Sequence, residues 1–180
     1  QAFTTSVRAP AHRVILAVGF DDICSCADYV PELLAHGPMG VEAIDDVMVA
    51  NMHKKHLDEE DLKIRPKGGS WMLVEFGGQS PDEAKAKAEG LRADLQGHPK
   101  VEDMRLLVDE ADPQKMWHVR EAGLPATAFV PGETRDTWEG WEDSAVAPAE
   151  LGAYIRDLRA LYRKYGYQGA MYGHFGDGLI

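Results

Sequence analysis

An apolar strand followed at once by a capped helix constrains this chain more than any other feature. SWMLVEFGG (70–78) is apolar along nearly its whole length and leads into Ser80-Pro81-Asp82-Glu83. A serine hydroxyl can accept from the first unpaired helix N–H groups, and proline in the first helical position has its φ already set. The run that follows, EAKAKAEGLRADLQGH, puts Ala84, Ala88, Leu91 and Leu95 on one helical stripe.

The same β-then-α order recurs along the chain. HRVILAVGF (12–20) predicts a strand, and DDICSCADYVPELLAHG (21–37) a helix capped by Asp21 or Asp22 and stopped by Gly37. Pro31 predicts a kink or break inside it. GVEAID (40–45) alternates as a short strand, DVMVANMHKKHL (46–57) has a helical pattern, and DEEDLKIRPKGG (58–69) is a polar loop. VEDMRLLVD (101–109) predicts a strand, and ADPQKMWHVREAGL (111–124) a helix opened by Asp112-Pro113. The Pro/Gly/Trp-rich stretch 125–141 is irregular. DSAVAPAELGAYIRDLRALYRKYG (143–166) holds a strand end and a long amphipathic helix, and QGAMYGHFGDG (168–178) a strand entering a glycine turn. Two successive β-α-β blocks predict an α+β fold: a ferredoxin-like split arrangement, with a mixed or antiparallel sheet and helices packed on one face. A doubly wound parallel sheet is the alternative, which fits worse because no GxGxxG follows the first strand.

At 180 residues, with 44% hydrophobic and 27% charged, the chain has the size and composition of one globular domain. No stretch reaches the roughly 18 apolar residues of a membrane-spanning helix, and the first residues lack the apolar core of a secretory signal. The net charge of −11 argues against nucleic acid as the main partner but leaves room for a local basic pocket. Cys24 and Cys26 are too close for an easy disulfide, and a C-x-C pair lacks the second half of a metal site, so they are expected as small buried or half-buried helix residues in a reducing, cytoplasmic setting.

Several residues are candidates for chemistry. His174 lies at a predicted strand end among Gly173, Gly176 and Gly178, where backbone can approach a ligand; it could equally be a turn histidine satisfied locally. Arg120, in MWHVREAG, could bind a carboxylate bidentately or form a surface ion pair. WEGWEDSAVAP (138–148) gathers Trp138 and Trp141 with Glu139, Glu142 and Asp143, either as paired carboxylates for acid–base work or as a lid anchored by its tryptophans. His53 and His56 are spaced as metal ligands can be, but the lysines between them favour a solvated face.

Taken in order, KGGSWMLVEFGG, then MWHVREAGLPAT with WEGWEDSAVAPAELGAYIRDL, then YGHFGDGLI resemble the C-terminal domain of FAD-linked oxidases of the vanillyl-alcohol-oxidase type. The resemblance runs from about Arg13 to the end. The WEGWEDSAVAP and YGHFGDG versions are most similar to the branch fused to a C-terminal iron–sulfur region. It implies a ferredoxin-like substrate (cap) domain over residues 12–180, cut short at its C-terminus, with residues 1–11 an extension from a missing N-terminal domain that holds FAD. Members such as glycolate oxidase subunits, D-lactate dehydrogenases and D-2-hydroxyglutarate dehydrogenases oxidise 2-hydroxy acids by hydride transfer to the flavin and pass electrons to an acceptor. Their setting implies a cytoplasmic protein, free or peripheral to the inner membrane through that acceptor.

On this pattern His174 matches the first histidine of G-H-x-G-D-G-N-x-H, which implies a catalytic role and ligation of a divalent metal such as zinc. Arg120 matches the arginine that holds the substrate carboxylate, and Gly176, Asp177 and Gly178 fall at the cofactor. Leu179 stands where many members carry Asn, and the motif's second histidine would fall one residue past Ile180. Trp141 and Glu142 occupy the place of a lysine found near the Asp143 position in D-2-hydroxyglutarate enzymes, so the particular substrate does not carry over. The chain alone is expected neither to hold FAD tightly nor to turn over. The rival expectation is a non-enzymatic ferredoxin-like module binding a small acid or a protein partner.

Overall fold

The computed structural model describes residues 10–108, 111–133, 137 and 143–180. Strands β1 (His12–Phe20), β2 (Gly40–Asp45), β3 (Ser70–Gly78), β4 (Val101–Leu107) and β5 (Tyr172–Gly173) form one antiparallel sheet in the order β4-β1-β3-β2-β5. β1 and β3 pair along their whole length, from His12 opposite Gly78 to Phe20 opposite Ser70. The strands joined by the main-layer helices are not neighbours: β3 lies between β1 and β2, and β1 lies between β3 and β4, whereas β2 and β3 pair directly. That is the split β-α-β arrangement expected from the sequence. β5 extends the sheet at its β2 edge through Ala43 opposite Gly173 and Ile44 opposite Tyr172.

Side chains alternate across a strand, so the sheet sorts its apolar residues into two layers. Val14, Leu16, Val18 and Phe20 join Val41, Ala43, Met72, Val74 and Phe76 in the main core. The helices over that face are α1 (Ile23–Asp28), α2 (Val30–Leu34), α4 (Pro81–Asp94) and α7 (Leu151–Tyr165). They form the expected helical layer. Ile15, Ala17 and Leu73 face the other way and meet Met116 of α5 (Ala111–Glu121). Ile44 and Trp71 on that side pack on α3 (Asp46–Lys54), Val119 of α5 and α6 (Gly123–Thr127). A smaller second layer therefore covers the other face. β1 shows why: from Val14 to Phe20 every residue is buried, and such a strand needs apolar cover on both sides.

Local signals explain the element ends. Asp22 caps α1, its carboxylate accepting from Ser25 N–H at 2.8 Å. The helix breaks at Tyr29, and Pro31 sits in the first turn of α2, where its missing N–H costs nothing. Ser80 caps α4 at Glu83 N–H, with Pro81 opening the helix. α5 starts at Ala111, so Asp112 lies inside its first turn, paired with Lys115 at 3.0 Å rather than acting as the cap. α3 stops at Lys54, short of Leu57, because His56 takes a left-handed φ of 55°. The polar loop 58–69 contains a short 3-10 turn, Asp61–Ile64, that buries Leu62.

Candidate functional site

The alternation of β2 places its two acidic residues inside the protein. Val41 and Ala43 point into the main core, and Glu42 stands on the opposite side beside Ile44, across from Leu73 of β3. Glu42 is only 5% exposed. A buried carboxylate is tolerated when its oxygens are paired. Oε2 accepts from Arg120 Nε at 2.8 Å, and Oε1 accepts from His174 Nδ1 at 2.5 Å. One carboxylate thus joins the two residues that the sequence singled out from opposite halves of the chain.

Arg120 reaches Glu42 because α5 lies along this face, with Met116 and Val119 buried beneath it. Its guanidinium also sits 5.2 Å above the Tyr172 ring, a cation–π contact from β5. Among the described residues its two Nη nitrogens make no hydrogen bond. Gly123, just past α5, lets the Tyr172 ring approach: a Cβ there would lie 2.4 Å from Tyr172 Cε2. Lys55 donates to the Pro125 and Ala128 carbonyls, which fastens α6 to the end of α3.

His174 follows β5 directly. Its carbonyl accepts from Asp177 N–H at 2.9 Å and Leu179 N–H at 3.1 Å, closing a tight turn over the 3-10 segment Phe175–Asp177. The chain then runs antiparallel to residues 144–146, with Ser144 and Ile180 exchanging both backbone hydrogen bonds at 3.0 Å. Gly178 makes this return possible. Its φ is +74°, and a Cβ there would lie 1.9 Å from the Val146 carbonyl oxygen. Gly178→Ala is expected to destabilise the chain by about 1–3 kcal/mol through strain and overlap, read as a lowered denaturant midpoint with unchanged slope.

Asp45, the second acid of β2, fixes the other end of β5. Its Oδ2 accepts from Met171 N–H at 2.9 Å and its Oδ1 caps α3 at Met48 N–H at 2.8 Å. Burial pushes its carboxyl up to about 7, against the opposing pull of those two N–H donors.

The remaining candidates separate. Asp143 is exposed; Trp138, Glu139, Trp141 and Glu142 lie outside the described residues. Gly176 rests near Val41, Asp177 is exposed, and Gly178 is buried within the turn. His53 and His56 are both exposed, and His56 pairs with Glu59 at 2.8 Å, a solvated face as expected. Cys24 and Cys26 are free and buried in α1, and burial raises both thiols. Among the described residues no three His, Cys, Asp or Glu side chains gather as a ready metal cage, and no helix is long and apolar enough to cross a membrane.

Residues 9–180 match the family described as FAD linked oxidases, C-terminal domain. The chain belongs to that family. It is also similar to the D-2-hydroxyglutarate dehydrogenase of Pseudomonas putida, with 29% identity over 178 residues. The match covers 95% of this chain and 18% of that protein, so the chain spans less than a fifth of the relative's length. Membership of the FAD-linked oxidase family makes the chain an oxidoreductase domain, and Glu42 is where the candidate residues Arg120 and His174 meet.

Glu42 was not among the residues that sequence reasoning selected. The signal was present in GVEAID: a strand between two buried apolar positions leaves its intervening acid on the second face. That acid looks solvent-facing only if the second face is taken as uncovered.

Proposed function

We propose that the chain is the substrate (cap) domain of an FAD-dependent dehydrogenase or oxidase of 2-hydroxy acids, of the glycolate, D-lactate or D-2-hydroxyglutarate type. The observation that carries this is the shared carboxylate of Glu42, which fastens Arg120 and His174 side by side at the β5 edge. Held at Nε, the Arg120 guanidinium keeps its Nη pair for a planar substrate carboxylate, the fork geometry that distinguishes arginine from lysine. His174, with its side chain 56% exposed, stands beside it for the hydroxyl end of the same small acid.

Oxidation to the 2-oxo acid removes the hydroxyl proton and transfers the hydrogen on C2 as hydride. FAD, held by a separate domain, supplies the hydride acceptor. In this chain Arg120 orients the acid and His174 Nε2 receives the hydroxyl proton; were a divalent ion bound, His174 would help hold it and the ion would supply Lewis-acid polarisation. As a metal ligand His174 would be the contribution of the described residues, with further ligands coming from elsewhere. The turn that carries Gly176, Asp177 and Gly178 is proposed as the face toward the flavin. An iron–sulfur region joined to this domain in the parent belongs to the same reading, supported by the WEGWEDSAVAP and YGHFGDG versions of the motifs.

Flavin bleaching tests the reading in the polypeptide that unites this chain with its flavin domain, against a panel of D- and L-2-hydroxy acids. One acid is expected to reduce the flavin, and His174→Ala is expected to slow that reduction by about 100-fold or more. No bleaching by any acid, with direct binding of a small acid or protein instead, would favour the non-enzymatic module. A wild-type rate in His174→Ala would remove His174 from the reaction.

A further inference from the structure

We propose that Glu42 is the positioning residue of this site, and that it does so by dictating which nitrogen of His174 carries the proton. The inference deepens the functional reading above, but its principal test does not depend on that reading.

A carboxylate accepts hydrogen bonds and donates none, and a guanidinium donates and never accepts. Oε2 of Glu42 is taken by Arg120 Nε–H. Oε1 is taken by His174 Nδ1, which must therefore be the protonated nitrogen. The neutral imidazole then carries its lone pair on Nε2, the edge away from the buried acid. Burial divides the pair in the same direction: the Glu42 side chain is 6% exposed and the His174 side chain 56%. Free histidine in water prefers the opposite tautomer, with the proton on Nε2, so the Nδ1–H form here is imposed rather than inherited.

Position in the fold makes Glu42 suited to this work. It projects from a strand hydrogen-bonded on both sides, to β3 and to β5, whereas Arg120 comes from α5 and His174 from a turn. The most rigidly held element thus sets the side chains of two less constrained ones. Metal-ligating histidines almost always have the other ring nitrogen held by a carboxylate, carbonyl or water, and losing that partner typically costs 10–100-fold in affinity or activity.

Glu42→Gln gives a sharp outcome because the new side chain has one acceptor and one donor end. The amide oxygen must face Arg120 Nε–H, since a guanidinium cannot accept. The NH2 then faces His174 Nδ1, which has to accept, and the imidazole proton moves to Nε2. A nearly isosteric change is therefore expected to invert the tautomer.

Long-range 1H–15N NMR on histidine-labelled chain reads this directly at about pH 8.5, where an ordinary imidazole is neutral. His174→Asn identifies the signal by its loss among the seven histidines. The wild type is expected to show a protonated Nδ1 and a lone pair at Nε2, Glu42→Gln the reverse, and Glu42→Asp a return toward the wild-type form. An Nε2–H wild type, or one tautomer shared by wild type and Glu42→Gln, overturns the inference. The wild-type spectrum decides the first point even where a variant does not fold. In the flavin-bearing polypeptide, Glu42→Gln is expected to lower turnover by about 10–100-fold, with partial rescue by Glu42→Asp. An inverted tautomer with wild-type turnover would overturn the positioning role, whatever acid the enzyme oxidises.

Discussion

Arg120→Met is expected to destabilise the chain by about 3–5 kcal/mol at neutral pH, as removal of one partner of a buried ion pair does. Methionine keeps the stem that lies over Tyr172 and removes the charge and the fork. Glu42 would then be left at 5% exposure with His174 as its one remaining partner among the described residues. A carboxylate so placed has lost its water without gaining an equivalent charge. Converting the whole pair tells the two costs apart. Arg120→Met with Glu42→Met replaces a buried pair by apolar side chains of similar length, which is often near neutral, so the double variant is expected to be more stable than Arg120→Met alone. Denaturant unfolding of the wild type, Arg120→Met, Glu42→Met and the double variant measures this. An Arg120→Met chain within about 0.5 kcal/mol of wild type, the scatter of ordinary surface changes, would mean that Glu42 is not held buried in solution.

The double variant also bears on function. If a buried pair contributes little net stability, its presence in this sheet is better explained by what it orients than by what it stabilises. Arg120 and His174 lie 54 residues apart in the chain, and both hold the Glu42 carboxylate of β2. The acid is the joint through which helix and turn acquire a common geometry.

The strands were legible in the sequence almost to the residue: His12–Phe20, Gly40–Asp45 and Ser70–Gly78 have the bounds that apolar runs and turn residues predict. The helix caps at Asp22 and Ser80 were equally legible, because capping is a local interaction written in neighbouring residues. His174 and Arg120 stood out by residue type and by resemblance. Glu42 did not, since its role is set by strands and helices whose pairing no local pattern reveals. The second helical layer was missed for a related reason: α5 has its buried residues at Met116 and Val119 only, too few to announce an amphipathic face. What fixes α5 there is the far side of β1 and β3, which becomes a surface needing cover only once those strands lie side by side.

Asp45→Ala is the second large effect expected, about 2–4 kcal/mol of destabilisation from two buried N–H groups left unpaired, one of them the α3 cap. The pH dependence of the wild type adds a signature that a plain packing defect lacks. Burial raises the Asp45 carboxyl from 3.8 to about 7 in the folded chain. Between those values the folded chain keeps a proton that the unfolded chain has released, so stability falls as pH rises through that window. The contribution is fully present below the unfolded value and lost as pH rises through the folded one. Asp45→Asn stays neutral throughout and is expected to lack this slope, so its deficit against wild type should narrow from pH 4 to 7. The two halves of the carboxylate can also be separated by amide exchange. Met48 N–H reports the α3 cap and Met171 N–H reports the anchor of β5. Asp45→Ala is expected to lose protection at both, and Asp45→Asn, which can keep one acceptor, chiefly at one. Unchanged exchange at Met171 in Asp45→Ala would show that β5, and the turn bearing His174, is held by its other pairings and not by Asp45.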